Sequence, residues 1–264
     1  MSEIDSQANV DVRRERGGRV ALVIINRPHV RNAIDADTTR QLEEAFDGVE
    51  ADTTVRATVL TGAGNVAFSA GMDLKAFART GVRGMATRRG GFAGVTRRRF
   101  TKPIVAAVNG SALGGGLEIA LACDLIVASA DAVFGLPEVK RGLIAGAGGL
   151  IRLPRRVPLG VALQLALTGE ALSAGEARDA GLVSAVHPPA ELLERAIDLA
   201  ELIAKNAPLA LQMSREVILG SIGVSEEAAW RQTDDAFRVV GASQDAKEGA
   251  LAFAQRREPE WTGA

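Results

Sequence analysis

Two short stretches of this chain have residue types and spacing that could do chemistry. Asn109 to Glu118 reads NGSALGGGLE, three consecutive glycines running into a helical pattern with a carboxylate in its first turn. Glycine loses more conformational freedom on folding than any other residue, so three in a row need a reason. One reason is a tight strand-to-helix connection. Another is a backbone N–H that must face a ligand oxygen without an intervening Cβ, at a helix N-terminus whose dipole favours developing negative charge. Phe68 to Phe77, FSAGMDLKAF, is a second small-residue turn entering a helix, with Asp73 placed to cap it. Two turns that each present one unpaired N–H are what an oxyanion hole requires, and the second stretch decides for that reading.

Other chemistries fit poorly. The two histidines, His29 beside Pro28 and His187 before Pro188, are both expected in loops, which argues against a Ser/His/Asp triad or a histidine metal site. Acid–base work then falls to carboxylates. A single cysteine, Cys123, excludes an internal disulfide framework and a cysteine-cluster metal site. GAGNVA (62–67) matches a relaxed dinucleotide fingerprint, but FSAG follows it instead of a helix, and no acid stands about twenty residues further on. The glycines between 142 and 150 miss that spacing too and are expected to form a turn.

These stretches need a scaffold, and the chain is long enough to build one. With 264 residues, 47% hydrophobic and 24% charged, it reads as globular and not disordered. A formal charge of -1 argues against nucleic acid or an anionic membrane as the main partner. The polar N-terminus reads as neither a secretory signal nor a membrane span, and a cytoplasmic location is expected.

The β-branched runs VALVIINRP (20–28) and ATVLTG (57–62) flank a helix over Asp37–Val49 with apolar positions at Leu42, Ala45, Phe46 and Val49. PIVAAVNG (103–110) and DLIVASA (124–130) supply two more strands, joined by LEIALAC as a helix. Residues 79–94, rich in Gly and Arg, are expected to form a long mobile loop with solvated arginines. From Val157 the apolar periodicity is helical in successive blocks. We therefore expect an α/β core over 1–195 and a helical region over 196–264.

Residues 102–155, KPIVAAVNGSALGGGLEIALACDLIVASADAVFGLPEVKRGLIAGAGGLIRLPR, together with FSAGMDLKAF and NRPHVRNAID, resemble the enoyl-CoA hydratase/isomerase (crotonase) superfamily. The likeness runs from about Val20 to Gly263. It implies a crotonase-like (ββα)n spiral core and a C-terminal helical trimerisation region. It also implies two catalytic glutamates, Glu118 after the triple glycine and Glu138 in FGLPE, and an oxyanion hole from the N–H groups of Met72 and Gly115. Met72 departs from the alanine common in the family, which narrows the pocket but leaves the N–H.

For an acyl-CoA substrate the matching positions are Arg31, Ala70, Gly71, Met72, Asp73, Leu74, Lys75 and Gly115. Phe253 and Arg256 resemble the pair that reaches a neighbouring subunit's nucleotide. The resemblance implies no metal, no cofactor beyond the coenzyme A of the substrate, and a homo-oligomer, either a trimer or a dimer of trimers. The reaction it implies is reversible hydration of trans-2-enoyl-CoA. An enoyl-CoA isomerase, which needs one acid, a carnitinyl-CoA-type dehydratase and a non-catalytic acyl-CoA-binding protein are the alternatives.

Overall fold

The computed structural model describes residues 8–264. Strands β1 (Val10–Glu15) and β2 (Val20–Ile25) form an antiparallel pair, followed by α1 (Ala36–Ala51). The Asp35 carboxylate caps α1 by accepting from the Thr38 N–H, and the helix buries Leu42, Phe46 and Val49. Then come three units of two strands and a helix. They are β3 (Ala57–Gly62), β4 (Ala67–Ser69) and α2 (Leu74–Thr80), with a ribbon of β5 (Ala86–Thr87) and β6 (Gly91–Phe92) appended. Next are β7 (Ile104–Val108), β8 (Ser111–Leu113) and α3 (Gly115–Ala122), and after them β9 (Leu125–Ser129), β10 (Val133–Gly135) and the short α4 (Gly149–Arg152). The chain continues through α5 (Leu159–Thr168), β11 (Ala171–Ser173), α6 (Ala174–Asp179), β12 (Ala185–His187), α7 (Leu192–Ala204), α8 (Pro208–Gly220), α9 (Glu226–Gly241) and α10 (Gln244–Gln255).

The large sheet has the order β1-β2-β3-β7-β9-β12, parallel from β2 onward. Its central strands are buried on both faces, which is why they read as continuous apolar runs and not as alternation. Val20, Leu22, Val59 and Val105 face α7, which contributes Leu192, Ala196, Ile197 and Ala200. Ala21, Val23, Ile25 and Leu60 face the other way, into a cluster with Leu42, Phe46, Leu117 and Phe134. Each fully buried aliphatic or aromatic side chain of this kind contributes about 1.5–3 kcal/mol.

The small sheet, order β11-β10-β8-β4, positions the site. Here β4, β8 and β10 are parallel neighbours, each three residues long. Parallel strands lie about 4.8 Å apart. The segments leaving their C-terminal ends, 70–73, 114–118 and 136–138, therefore start side by side.

Two readings of the sequence change. His187 is not in a loop but ends β12, paired with Ser129. Residues 79–94 are not a plain loop: they hold the β5–β6 ribbon and bury Met85 and Ala93, while Arg79, Arg83 and Arg88 remain exposed. Position 195, the expected division, lies inside α7, whose apolar stripe packs on the large sheet. Beyond it α8 and α9 pack on each other, and none of their residues, all described, is buried. No described helix is long and apolar enough to cross a membrane.

Candidate active site

The first turn leaves β4 at Ser69. The buried Ser69 hydroxyl donates to the Asn32 carbonyl at 2.8 Å and accepts from the Gly71 N–H at 3.1 Å. The Ala70 N–H donates to the Arg31 carbonyl at 3.0 Å. Ile34 then brackets Met72, since its N–H reaches the Gly71 carbonyl at 2.8 Å and its carbonyl accepts from the Asp73 N–H at 2.9 Å. In such a parallel bridge the bracketed residue points its own N–H away. The Met72 N–H has no acceptor among the described residues.

The second turn leaves β8. Gly114 takes φ 55 and ψ -125, a conformation that side-chain-bearing residues rarely adopt, and its N–H donates to the Gly135 carbonyl of β10 at 2.9 Å. Gly115 opens α3, so its N–H has no partner in the helix, and none exists elsewhere among the described residues. The two turns touch: a Cβ on Gly71 would lie 2.7 Å from the Gly115 nitrogen and 2.9 Å from the Leu113 carbonyl oxygen. Glycine at 71 is thus a requirement of close approach, and the Phe92 ring imposes the same at Gly115, where a Cβ would come within 2.6 Å of Cε1.

Glu118 stands in the first turn of α3, 3% exposed. Its Oε1 accepts from the N–H groups of Ala147 at 2.6 Å and Gly149 at 2.8 Å. Burial pushes its pKa above the ordinary carboxylate value, opposed by those two N–H donors and by the nearby Arg152 charge. Glu138 arrives from β10 on the turn Pro137–Arg141. Its carboxylate lies against Gly114, whose missing Cβ would sit 3.1 Å from Oε1, and its Oε2 is buried with no hydrogen-bond partner. Burial raises its pKa, and the Glu118 charge raises it further. The charged form of Glu118 is solvated by two N–H donors from another segment, whereas that of Glu138 has its own backbone N–H and the Arg141 charge and keeps Oε2 unpartnered, an asymmetry that favours one negative charge and one proton on the pair.

The other expected positions divide. Arg31 and Lys75 are exposed, beside the first turn, and neither has an ion-pair partner among the described residues. Leu74 is 44% exposed. The Asp73 carboxylate is occupied: it caps α2 through the N–H groups of Lys75 and Ala76, both at 3.1 Å, and pairs with Arg27. Although burial opposes it, these donors and the Arg27 charge hold its pKa below the ordinary value. Phe253, 87% exposed, and Arg256, at the end of α10, have no hydrogen bond or ion pair to the site among the described residues.

Sequence reasoning missed several supports. Arg27 pairs with Asp35 at 2.9 Å as well as Asp73, and fully buried Asn32 donates to the carbonyls of Ala63 and Ala67. The glycines at 146–149 do form the expected turn, but that turn grips Glu118. The run of glycines was the signal for it.

The model of the enoyl-CoA hydratase/isomerase family matches residues 15–264. The chain is 40% identical to the carnitinyl-CoA dehydratase of Salmonella arizonae over 257 residues, 96% of this chain and 98% of that one. The crystal structure of an enoyl-CoA hydratase from Mycobacterium tuberculosis superposes with a TM-score of 0.93 at 46% identity, covering 98% of this chain and 100% of that one. A carnitinyl-CoA hydratase from Mycobacterium avium gives a TM-score of 0.76 at 44% identity, with coverage of 98% and 100%. By sequence over nearly its whole length and by fold, this chain belongs to the enoyl-CoA hydratase/isomerase family, the crotonase superfamily.

Proposed function

We propose that this protein catalyses the reversible addition of water to trans-2-enoyl-CoA thioesters, giving 3-hydroxyacyl-CoA. The observation that carries the reading is the contrast between two juxtaposed carboxylates, Glu118 clamped by two N–H donors and Glu138 with a buried, unpartnered oxygen. The thioester carbonyl sits between the N–H groups of Met72 and Gly115. These donors stabilise the enolate that develops there, and each is worth about 3 kcal/mol at the transition state. Ionised Glu118 takes a proton from water as its oxygen bonds to C3, the C2–C3 π electrons move into the thioester enolate, and Glu138 delivers its proton to C2. Water is added in full, and the next turnover needs only return of the proton from Glu118 to Glu138.

Arg31 and Lys75 meet the phosphates of coenzyme A, and Ala70 to Leu74 line the nucleotide. Phe253 and Arg256 serve the site of a neighbouring copy in a trimer or dimer of trimers. The reaction takes no metal and no cofactor besides the coenzyme A of its substrate.

A second reading is favoured by the carnitinyl-CoA dehydratases at about 40% identity: the same two glutamates would run the reaction as dehydration of a 3-hydroxyacyl-CoA. An isomerase would need only one of the two acids. Loss of enoyl-thioester ultraviolet absorbance is the test, with crotonyl-CoA, longer enoyl-CoAs and, in the opposite direction, carnitinyl-CoA. Turnover of crotonyl-CoA or its homologues supports hydration. Turnover of carnitinyl-CoA alone assigns the dehydratase, and binding without turnover overturns both.

A further inference from the structure

Glu118 is held by N–H groups on either side of Gly148, those of Ala147 and Gly149. Gly148 itself has φ 115, and the space where its Cβ would stand is taken by Nη1 of Arg152. Arg152 is built onto the same turn, its amide N–H donating to the Gly148 carbonyl at 2.9 Å. The guanidinium is anchored on its far side by Nη2, which donates to the Thr96 carbonyl at 2.6 Å. It thus bridges the clamp around Glu118 and the segment that follows the β5–β6 ribbon.

We propose that Arg152 is a positioning residue for Glu118, fixing the 147–149 clamp and holding the carboxylate ionised; the inference rests on Glu118 being the base of the proposed reaction. Its charge is the cation that acts on Glu118, while Glu138 is the opposing carboxylate. Arg156 is engaged elsewhere, donating to the carbonyls of Leu121 and Cys123, and Arg155 is exposed. Cys123 lies behind them with its thiol pushed up to about 12 by burial, hence neutral. Burial lowers the pKa of Arg152 first, and Arg156 and Arg155 add to this, yet a guanidinium stays protonated throughout the working range. Lysine would keep the charge and lose the planar fork that spans Gly148 and Thr96.

The experiment compares wild type with Arg152→Gln and Arg152→Lys, by turnover of the enoyl-CoA substrate against pH and by titration of the 13C-labelled Glu118 carboxylate, assigned through Glu118→Gln. For Arg152→Gln we expect kcat to fall on the order of tenfold with little change in KM, short of the ~10²-fold or greater loss from removing a general base outright. The acidic limb of kcat/KM and the carboxylate titration should both move to higher pH. Arg152→Lys should restore the titration and not the rate. An unmoved Glu118 titration in a folded Arg152→Gln overturns the proposal. If Arg152→Gln does not fold, Arg152→Lys decides: full wild-type rate overturns the proposal, and a reduced rate with an unmoved titration supports it. The carboxylate titration needs no turnover, so a failure of the hydratase reading would show separately, as absence of activity in wild type.

Discussion

The segments around the site and the helices α8 to α10 are built on opposite terms. Around the site, glycines at 71 and 115 let neighbouring segments approach until no Cβ would fit, and polar groups such as Asn32, Ser69 and Glu118 are buried and satisfied. In the tail, Trp230 is 60%, Phe237 79% and Phe253 87% exposed. Exposed aromatic side chains of this size are unusual on a surface that faces only water. The candidate site's groups are thus brought together and packed within one chain, whereas the tail leaves large apolar side chains that its own chain does not cover. The end of the chain is nevertheless tied down. The Asp245 carboxylate accepts from the N–H groups of Thr262 and Gly263, and the Trp261 indole donates to the Lys205 carbonyl. Single substitutions therefore test the tail better than truncation.

The largest effect expected is at the carboxylates. Glu118→Gln and Glu138→Gln keep size and polarity but remove proton transfer, so each should lower kcat on crotonyl-CoA by on the order of 10²–10⁴, with KM little changed. Steady-state kinetics on the folded variants checks this, and near wild-type turnover in both would remove the two-acid mechanism.

At Met72 the backbone and the side chain can be separated. Met72→Pro deletes the N–H donor and should cost about 3 kcal/mol at the transition state, roughly 10²-fold or more in kcat. Met72→Ala should stay active and accept bulkier acyl groups. Equal loss in the two variants would show that the side chain, and not the N–H, carries the effect.

In the tail, Phe237→Ser should reduce the oligomer in light scattering while leaving the monomer folded, since the ring is not part of its own core. Phe253→Ser should weaken coenzyme A binding more than it changes kcat. Intact assembly and unchanged affinity in both would erase the contrast between the two regions.

The smallest effect is on stability. The folded pKa of Glu138 lies above its ordinary value of 4.5, so the folded state binds this proton more tightly than the unfolded chain does. Its contribution is fully present below that ordinary value and is lost as pH rises through the raised one. Glu138→Gln should consequently melt higher than wild type at pH 7, with the advantage vanishing at pH 4. A variant that melts lower at pH 7 would mean that the carboxylate is better satisfied than its unpartnered Oε2 indicates.

The long elements and the candidate site's glycine turns can be read from the sequence alone. The runs around Val20, Ala57, Ile104 and Leu125 are apolar on both faces because the sheet is covered on both sides, and α1 shows its period because one stripe is buried. The two glycine turns were legible because backbone approach demands glycine, a requirement visible one residue at a time, whereas Glu118 and Glu138 were singled out as a pair by the family resemblance. Three-residue strands such as β4, β8 and β10 carry no readable period, and only their pairing in space makes neighbours of 70–73, 114–118 and 136–138. The same holds for what surrounds each acid. The clamp from Ala147 and Gly149, the Arg152 bridge to Thr96 and the orphaned oxygen of Glu138 are contacts between segments distant in sequence. Composition and spacing fix which groups a chain possesses, but the proton affinity of a carboxylate depends on which donors and charges surround it, and tertiary packing alone decides that.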